Sequence, residues 1–383
     1  MLAKMYLTNF LSFSQKTEFD FTASKSSILS NKNTVENNLL KGALFIGANA
    51  SGKSNALKGI GLLINLINGL NFKGISLGNY RCFFAKSPIT KIEYEFIFEG
   101  KKISYEISFD FQKKEMQESL LIENESILFR SGSHGKLHLG ESSIEENDLD
   151  ADTLFLRTAS FNTGRFPQEP ILRSLMNYLL NSKFIDGYNQ SAMLGTALSK
   201  YAEENGVEKI NNYLSELNYG FLIEYGSQSE GEGIRIVVGS NSSNNKSIFF
   251  KRNSFPIPNT FYSESQGNQV FADLLPQLIS VIEQPGMLVI DEFGNSFHNK
   301  LAEKIIGFFM EKAHNSQFFI TSHDTNLISN SIFRPDQINV ISFEGRNGSK
   351  VKRVSQFKPR EAQNLEKMYL GGMFEGLPIY DQV

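Results

Sequence analysis

Cysteine is nearly absent from this sequence: Cys82 is the single one in 383 residues. That excludes an intrachain disulfide and any cysteine-rich metal cluster, and it fits a reducing cytoplasm. An excess of charge of one sign is also lacking. With 38 basic and 41 acidic residues the formal net charge is -3, so no global field draws the chain to nucleic acid or an anionic membrane. The best apolar run, GIGLLINLINGL (59–70), is too short and too interrupted by Asn to span a bilayer. The opening MLAKMYLTNFLSF lacks the basic, apolar, small-residue order of a signal peptide. Long heptad arms are missing, and so is any nuclease-like cluster of histidines and carboxylates. What is left is a cytoplasmic globular chain, 40% hydrophobic and long enough for two or three lobes.

What is present is periodic. KMYLTNF (4–10) and TEFDF (17–21) read as short strands, and GALFIG (42–47) as a buried strand running into a glycine loop. The next segment, 54–67, has helical apolar spacing. Ile92, Tyr94, Phe96 and Phe98 alternate with polar residues, as do Ile103, Tyr105, Ile107 and Phe109 beyond the turn EGKK, which predicts a β-hairpin. SLLIENESILF (119–129) and DTLFLRTA (152–159) read as further strands. The polar stretch 131–150 between them reads as a loop, with His134 and His138 solvated. From Pro167 the spacing turns helical, with Ile171, Leu172, Leu175, Met176 and Leu179 on one face, then Ile210, Tyr213, Leu214 and Leu217 on another. The glycine- and serine-rich runs 226–233 and 239–247 flank two short strands, IRIVV and SIFFKR. The last third returns to α/β: GMLVIDE (286–292), a helix over Leu301–Lys312, QFFITSH (317–323) and INVISFE (338–344). The expected layout is an α/β core with a β-hairpin layer in 1–165, a helical insertion lobe in 166–220, the rest of the core in 221–345 and a C-terminal tail in 346–383.

Three motifs carry chemistry. GANASGKS (47–54) fits G-x-x-x-x-G-K-[ST] between an apolar strand and a helix. Gly47 and Gly52 let the backbone curl so that its N–H groups, including those of Asn49 and Ser51, face phosphates; Lys53 would sit on the β/γ oxygens and Ser54 would ligate Mg²⁺. MLVIDE (287–292) ends a buried strand on two carboxylates. Asp291 is placed to hold Mg²⁺ and Glu292 to orient or deprotonate an attacking water, and such a pair favours hydrolysis over transfer to a bulky acceptor. FFITSHD (318–324) leaves His323 just past a strand, where a neutral imidazole can contact a γ-phosphate. His314 has no such placement. SESQGNQVF (263–271) adds a polar, glycine-containing loop at a helix start, suited to an anion.

In that order these motifs resemble the ABC-type ATPases, and LTNFLSF followed by GANASGKS resembles the SMC, RecN and RecF branch. The resemblance implies a P-loop NTPase core of ABC type, with ATP and Mg²⁺ as cofactors and Asn49 and Asn55 beside the phosphates. Ser265 and Gly267 stand at the signature positions, where they would cap the ATP of a second subunit, and 293–298 would be the D-loop. Gln112 and Gln117 are the candidates for a Q-loop. The chain is most similar to small prokaryotic ATPases related to the overcoming-lysogenization-defect proteins, including those of abortive-infection systems; FRPDQI (333–338) and YLGGMFEGLP (369–378) resemble their C-terminal features. It departs from them in having Ala50 where Gly is frequent and Met373 where Arg is frequent. Those nucleases continue into a Toprim domain, whereas about 60 residues follow His323, too few for one of typical size. The resemblance therefore implies a homodimer closed around ATP that controls a separate effector, a nuclease or toxin, in antiphage defence. The alternative is a RecF-like repair ATPase acting on DNA. The basic run GSKVKRVSQFKPR (348–360) reads as a solvated edge strand in preference to a nucleic-acid contact.

Overall fold

The computed structural model describes every residue except 70–76, 141, 163–168, 188–193, 229–235, 238–245, 254–257, 297 and 378–383. Its centre is a six-stranded sheet. The elements around it, in chain order, are β1 (Gly42–Ile46), α1 (Lys53–Ile67), β2 (Lys183–Ile185), α2 (Gln266–Glu283), β3 (Met287–Ile290), α3 (Asn299–Lys312), β4 (Gln317–Thr321), β5 (Ile338–Phe343) and β6 (Ser349–Arg353). The strand order is β2-β3-β4-β1-β5-β6. All neighbours are parallel except the hairpin β5–β6.

Strands buried on both faces read as continuous apolar runs, and MLVI and the central FFI of QFFIT do. Their alternation sorts them into two cores. Ala43, Phe45, Val289 and Phe319 join α1 in one; Leu44, Ile46, Leu288, Ile290, Phe318 and Ile320 join α2 and α3 in the other.

Over the first core lies an antiparallel sheet of eight strands. The segments 89–98 and 101–110 form the expected hairpin, with Ile92 opposite Ile107 and Tyr94 opposite Tyr105. The structure corrects three expectations nearby. The polar stretch read as a loop forms two strands at one end of this sheet, His134–Leu139 and, at its edge, Ser142–Glu146. DTLFLRTA is not a strand: Phe155–Asn162 is helical, because the buried carboxylate of Glu118 accepts from the Phe155 and Leu156 N–H groups at its start, at 2.6 and 3.2 Å. The helical stretch after Pro170 is interrupted by β2, which pairs with β3 and so belongs to the central sheet. Much of the glycine- and serine-rich runs, and Pro167 itself, lie outside the described residues.

Candidate functional site

Five parallel strands run side by side, and at their C-terminal edge the chain turns away from the sheet, the place where open α/β sheets bind ligands. β1 delivers the phosphate loop. Gly52 has φ +109°, and a Cβ on it would lie 2.4 Å from Ser349 Oγ, so both conformation and crowding require glycine. Lys53 Nζ donates to the carbonyls of Gly47 at 3.0 Å and Ala48 at 2.8 Å, folding the ammonium over the loop. The loop's polar atoms fit a phosphate chain. Ser51 Oγ is buried without a hydrogen-bond partner, and the first N–H groups of α1 have no side-chain cap. Asn49 is exposed at the loop's crest, and Ser54 is half-buried in the first turn of α1. The Asn55 amide is turned elsewhere, donating to Ser12 Oγ at 2.9 Å.

β3 and β4 bring up the acids and the histidine. Asp291 is buried, and Thr321 Oγ1 donates to its Oδ1 at 2.5 Å while accepting from the Glu292 N–H at 2.7 Å. One hydroxyl at the end of β4 thus fixes both acidic residues at the end of β3. Glu292 is exposed with φ +58°, a left-handed conformation that is uncommon for a side-chain-bearing residue, and its carboxylate accepts from Asn295 Nδ2 at 2.9 Å.

Electrostatics tie these groups together. Burial lowers the Lys53 ammonium below the usual lysine range, with Asp291 and then Glu292 opposing it. Burial, and next the Lys53 charge, lower the His323 imidazole. His323 is therefore held neutral at neutral pH.

β2 adds a residue that sequence reasoning missed. Asp186 follows Ile185, whose carbonyl accepts from the Asp291 N–H at 3.0 Å. A Cβ on Gly187 would come within 3.1 Å of the Asp291 carbonyl oxygen, so the end of β2 packs on the acidic turn. Burial, and then the Asp186 charge, push the Tyr80 phenol up to about 12. Gln112 and Gln117 lie exposed on the antiparallel layer, at a turn and on a strand. Thr321, Ser12 and Ser349 were also missed; a hydroxyl at a strand end, or for Ser12 in a turn, is the only signal they offered.

The signature loop lies apart from this cluster. Ser265 caps α2 by accepting from the Asn268 N–H. Glu264 beside it accepts from the Ser265 N–H at 2.9 Å and pairs with Arg252 at 2.6 Å. Burial favours its protonation, but the Arg252 guanidinium, the Ser265 N–H and the Asn268 amide outweigh that and hold the carboxyl at about 2. Gly267 packs on the 293–298 segment: a Cβ there would sit 2.5 Å from the Ser296 carbonyl oxygen. Ser265, Gly267, Ser296, His298 and Lys300 share a cavity of about 590 Å³ that includes no residue of the phosphate loop. Phe297 of this segment is outside the described residues. Among the described residues no group of three or more His, Cys, Asp or Glu could hold a metal ion, and no helix is long and apolar enough to cross a membrane.

The model of the protein family described as "AAA domain, putative AbiEii toxin, Type IV TA system" matches residues 43–329. No curated protein matches the chain. Solved structures similar to it include an SMC head bound to the C-terminal winged-helix domain of ScpA, with a TM-score of 0.56 and 14% identity over 92% of this chain and 97% of that one. A second is the SMC head domain from Thermotoga maritima, with a TM-score of 0.50 and 14% identity over 92% and 98%. A third is an Smc head domain with an extended coiled coil, bound to the C-terminal domain of ScpA derived from Pyrococcus furiosus, with a TM-score of 0.53 and 12% identity over 93% and 97%. At these identities the likeness shows the fold, a P-loop head of SMC type.

Proposed function

The chain belongs to the AAA-domain family whose model spans most of its length, and on that premise we propose that it binds ATP with Mg²⁺, hydrolyses it, and pairs with a second copy around the nucleotide. The observation that carries this reading is the meeting of the phosphate loop, the Asp291–Glu292 turn and His323 at one edge of the sheet, where the two acids act on Lys53 and all three act on His323. Ser54 and Asp291 are hard oxygen donors suited to Mg²⁺, which when bound neutralises charge on the phosphate oxygens. Lys53 holds the β/γ oxygens. Glu292 takes the proton of the attacking water, and Thr321 keeps the acidic turn in place. His323, neutral, reaches the γ-phosphate. The cavity at Ser265 and Gly267 excludes the phosphate loop of its own chain, which supports their action on the nucleotide of the second copy.

The family's description names a "putative AbiEii toxin" of a toxin–antitoxin system; we read this chain as a defence ATPase that regulates a separate effector, a nuclease or toxin. A RecF-like repair ATPase would share the chemistry and differ in its partner. One observation favours the first. In the basic run 348–360, Lys352 is paired with Glu375 and Arg353 with Asp20, so these two charges are already engaged. Salt-dependent DNA binding by the purified chain would reverse that preference.

A mixing experiment tests the composite site. Ser265→Arg is the better partner for Lys53→Ala than any change at Gly267, because Gly267 abuts the segment whose Asn295 holds Glu292. Each variant alone is expected to be inactive. Mixed, they form heterodimers in which one site has an intact phosphate loop and an intact signature loop, so ATP capture at one site per dimer returns. Stable heterodimers that never capture ATP would refute action across the interface.

A further inference from the structure

Phe83 is 95% exposed, and with Phe84 and Phe343, each about half exposed, it makes an aromatic patch. The Phe83 and Phe84 ring centroids are 6.3 Å apart, and those of Phe84 and Phe343 are 5.7 Å apart. Three phenyl rings held together in water call for an occupant.

The patch is fastened to the phosphate loop from two directions. Phe343 stands opposite Ser349 across the β5–β6 hairpin, and directly opposed residues of an antiparallel pair carry their side chains on one face. Ser349 Oγ donates to the Ser51 carbonyl at 2.6 Å and lies 2.7 Å from Ser12 Oγ, so the face bearing Phe343 is the face turned to the loop. From the other direction, the Leu11 N–H donates to the Tyr80 carbonyl at 2.7 Å and the Cys82 N–H to the Asn9 carbonyl at 3.1 Å. The segment carrying Phe83 and Phe84 is thereby clamped to the turn that holds Ser12.

The polarity of the site then says what reaches the patch. Glu292 and His323 lie on the β3–β4 side of β1, so the γ end of a bound triphosphate faces that way. The nucleoside end leaves on the opposite side, that of β5, β6 and the Ser12 turn. We propose that Phe84 and Phe343, with Phe83 beside them, form the stacking platform for the base of the nucleotide whose phosphates lie in the 47–54 loop. A flat π-face suits any base and suits the larger purines best. The assignment rests on the nucleotide-binding reading and extends it to the other end of the ligand.

The test separates base from phosphate. Wild type, Phe84→Ala, Phe343→Ala and Phe84→Trp are titrated by calorimetry, in Mg²⁺, with ATP and with inorganic tripolyphosphate, which has no base. Both alanine variants are expected to raise the Kd for ATP about tenfold, in line with loss of one base–ring stack, and to leave tripolyphosphate binding unchanged. Phe84→Trp should bind ATP as wild type does. Unchanged ATP affinity in both alanine variants overturns the platform, and if their oligomeric mass falls instead, the patch covers a second copy. An equal loss of ATP and tripolyphosphate binding also overturns it, since the loop itself would have been disturbed. Wild type that binds neither ligand would sink the nucleotide-binding reading, and the platform with it.

Discussion

Ala50 is held at φ +60° in the crest of the phosphate loop, a conformation in which a Cβ crowds the following carbonyl at a cost of roughly 1–2 kcal/mol. The related ATPases frequently place glycine there, and the geometry supplies a reason. Ala50→Gly is expected to stabilise the protein by about 1 kcal/mol, read as a higher melting temperature, with ATP affinity retained. A fall in melting temperature would show that the strain is relieved in some other way. Glu292 carries a similar φ, and there the proposed role needs the carboxylate. Glu292→Gln should bind ATP normally and turn it over about 10²-fold more slowly, as expected on removing a general base. Wild-type turnover in a steady-state phosphate-release assay would remove Glu292 from that role. Phosphate loop, acids and histidine were legible because each stands at the end of an apolar run. Thr321 was not, because its work is a hydrogen bond to Asp291, 30 residues away in the chain.

At the scale of elements, the sequence told most where the period was clean. The hairpin 89–110 alternates strictly and formed as read. The helix Phe155–Asn162 was misread as a strand because its cap is Glu118, far away in sequence, on a strand of the antiparallel layer. β2 was invisible for another reason: three residues between helical segments carry no periodicity, and only their pairing with β3 makes them a strand. The contact between α2 and the segment before α3 was likewise unreadable, and it has a measurable effect. Gly267→Ala would drive a methyl group to 2.5 Å from the Ser296 carbonyl, so the turn carrying Asn295 must move and take Glu292 with it. ATP binding at the phosphate loop should survive, while turnover falls at least tenfold. Full turnover in Gly267→Ala, measured beside its ATP affinity, would show that the two loops are independent.

Over the whole molecule, the central sheet separates two apolar cores, with α1 in one and α2 and α3 in the other. The phosphate loop leads into the first, and the signature loop opens the second. If a second copy joins them across ATP, the hydrolysis-slow Glu292→Gln protein should elute as a larger species with ATP and Mg²⁺ than without. An unchanged mass by light scattering would refute nucleotide-driven pairing. The sheet also has a consequence for how the chain comes into being. β1 hydrogen-bonds to β4 and β5, whose residues lie about 300 positions later, and Leu2 is fixed by Gln317. On the ribosome the GANASGKS motif therefore emerges long before the two strands that flank β1. A nascent chain halted before Ile338 would carry the complete motif with β1 unpaired on one side and no Ser349 to donate to the Ser51 carbonyl, so the loop takes its final shape only after β6 has been made.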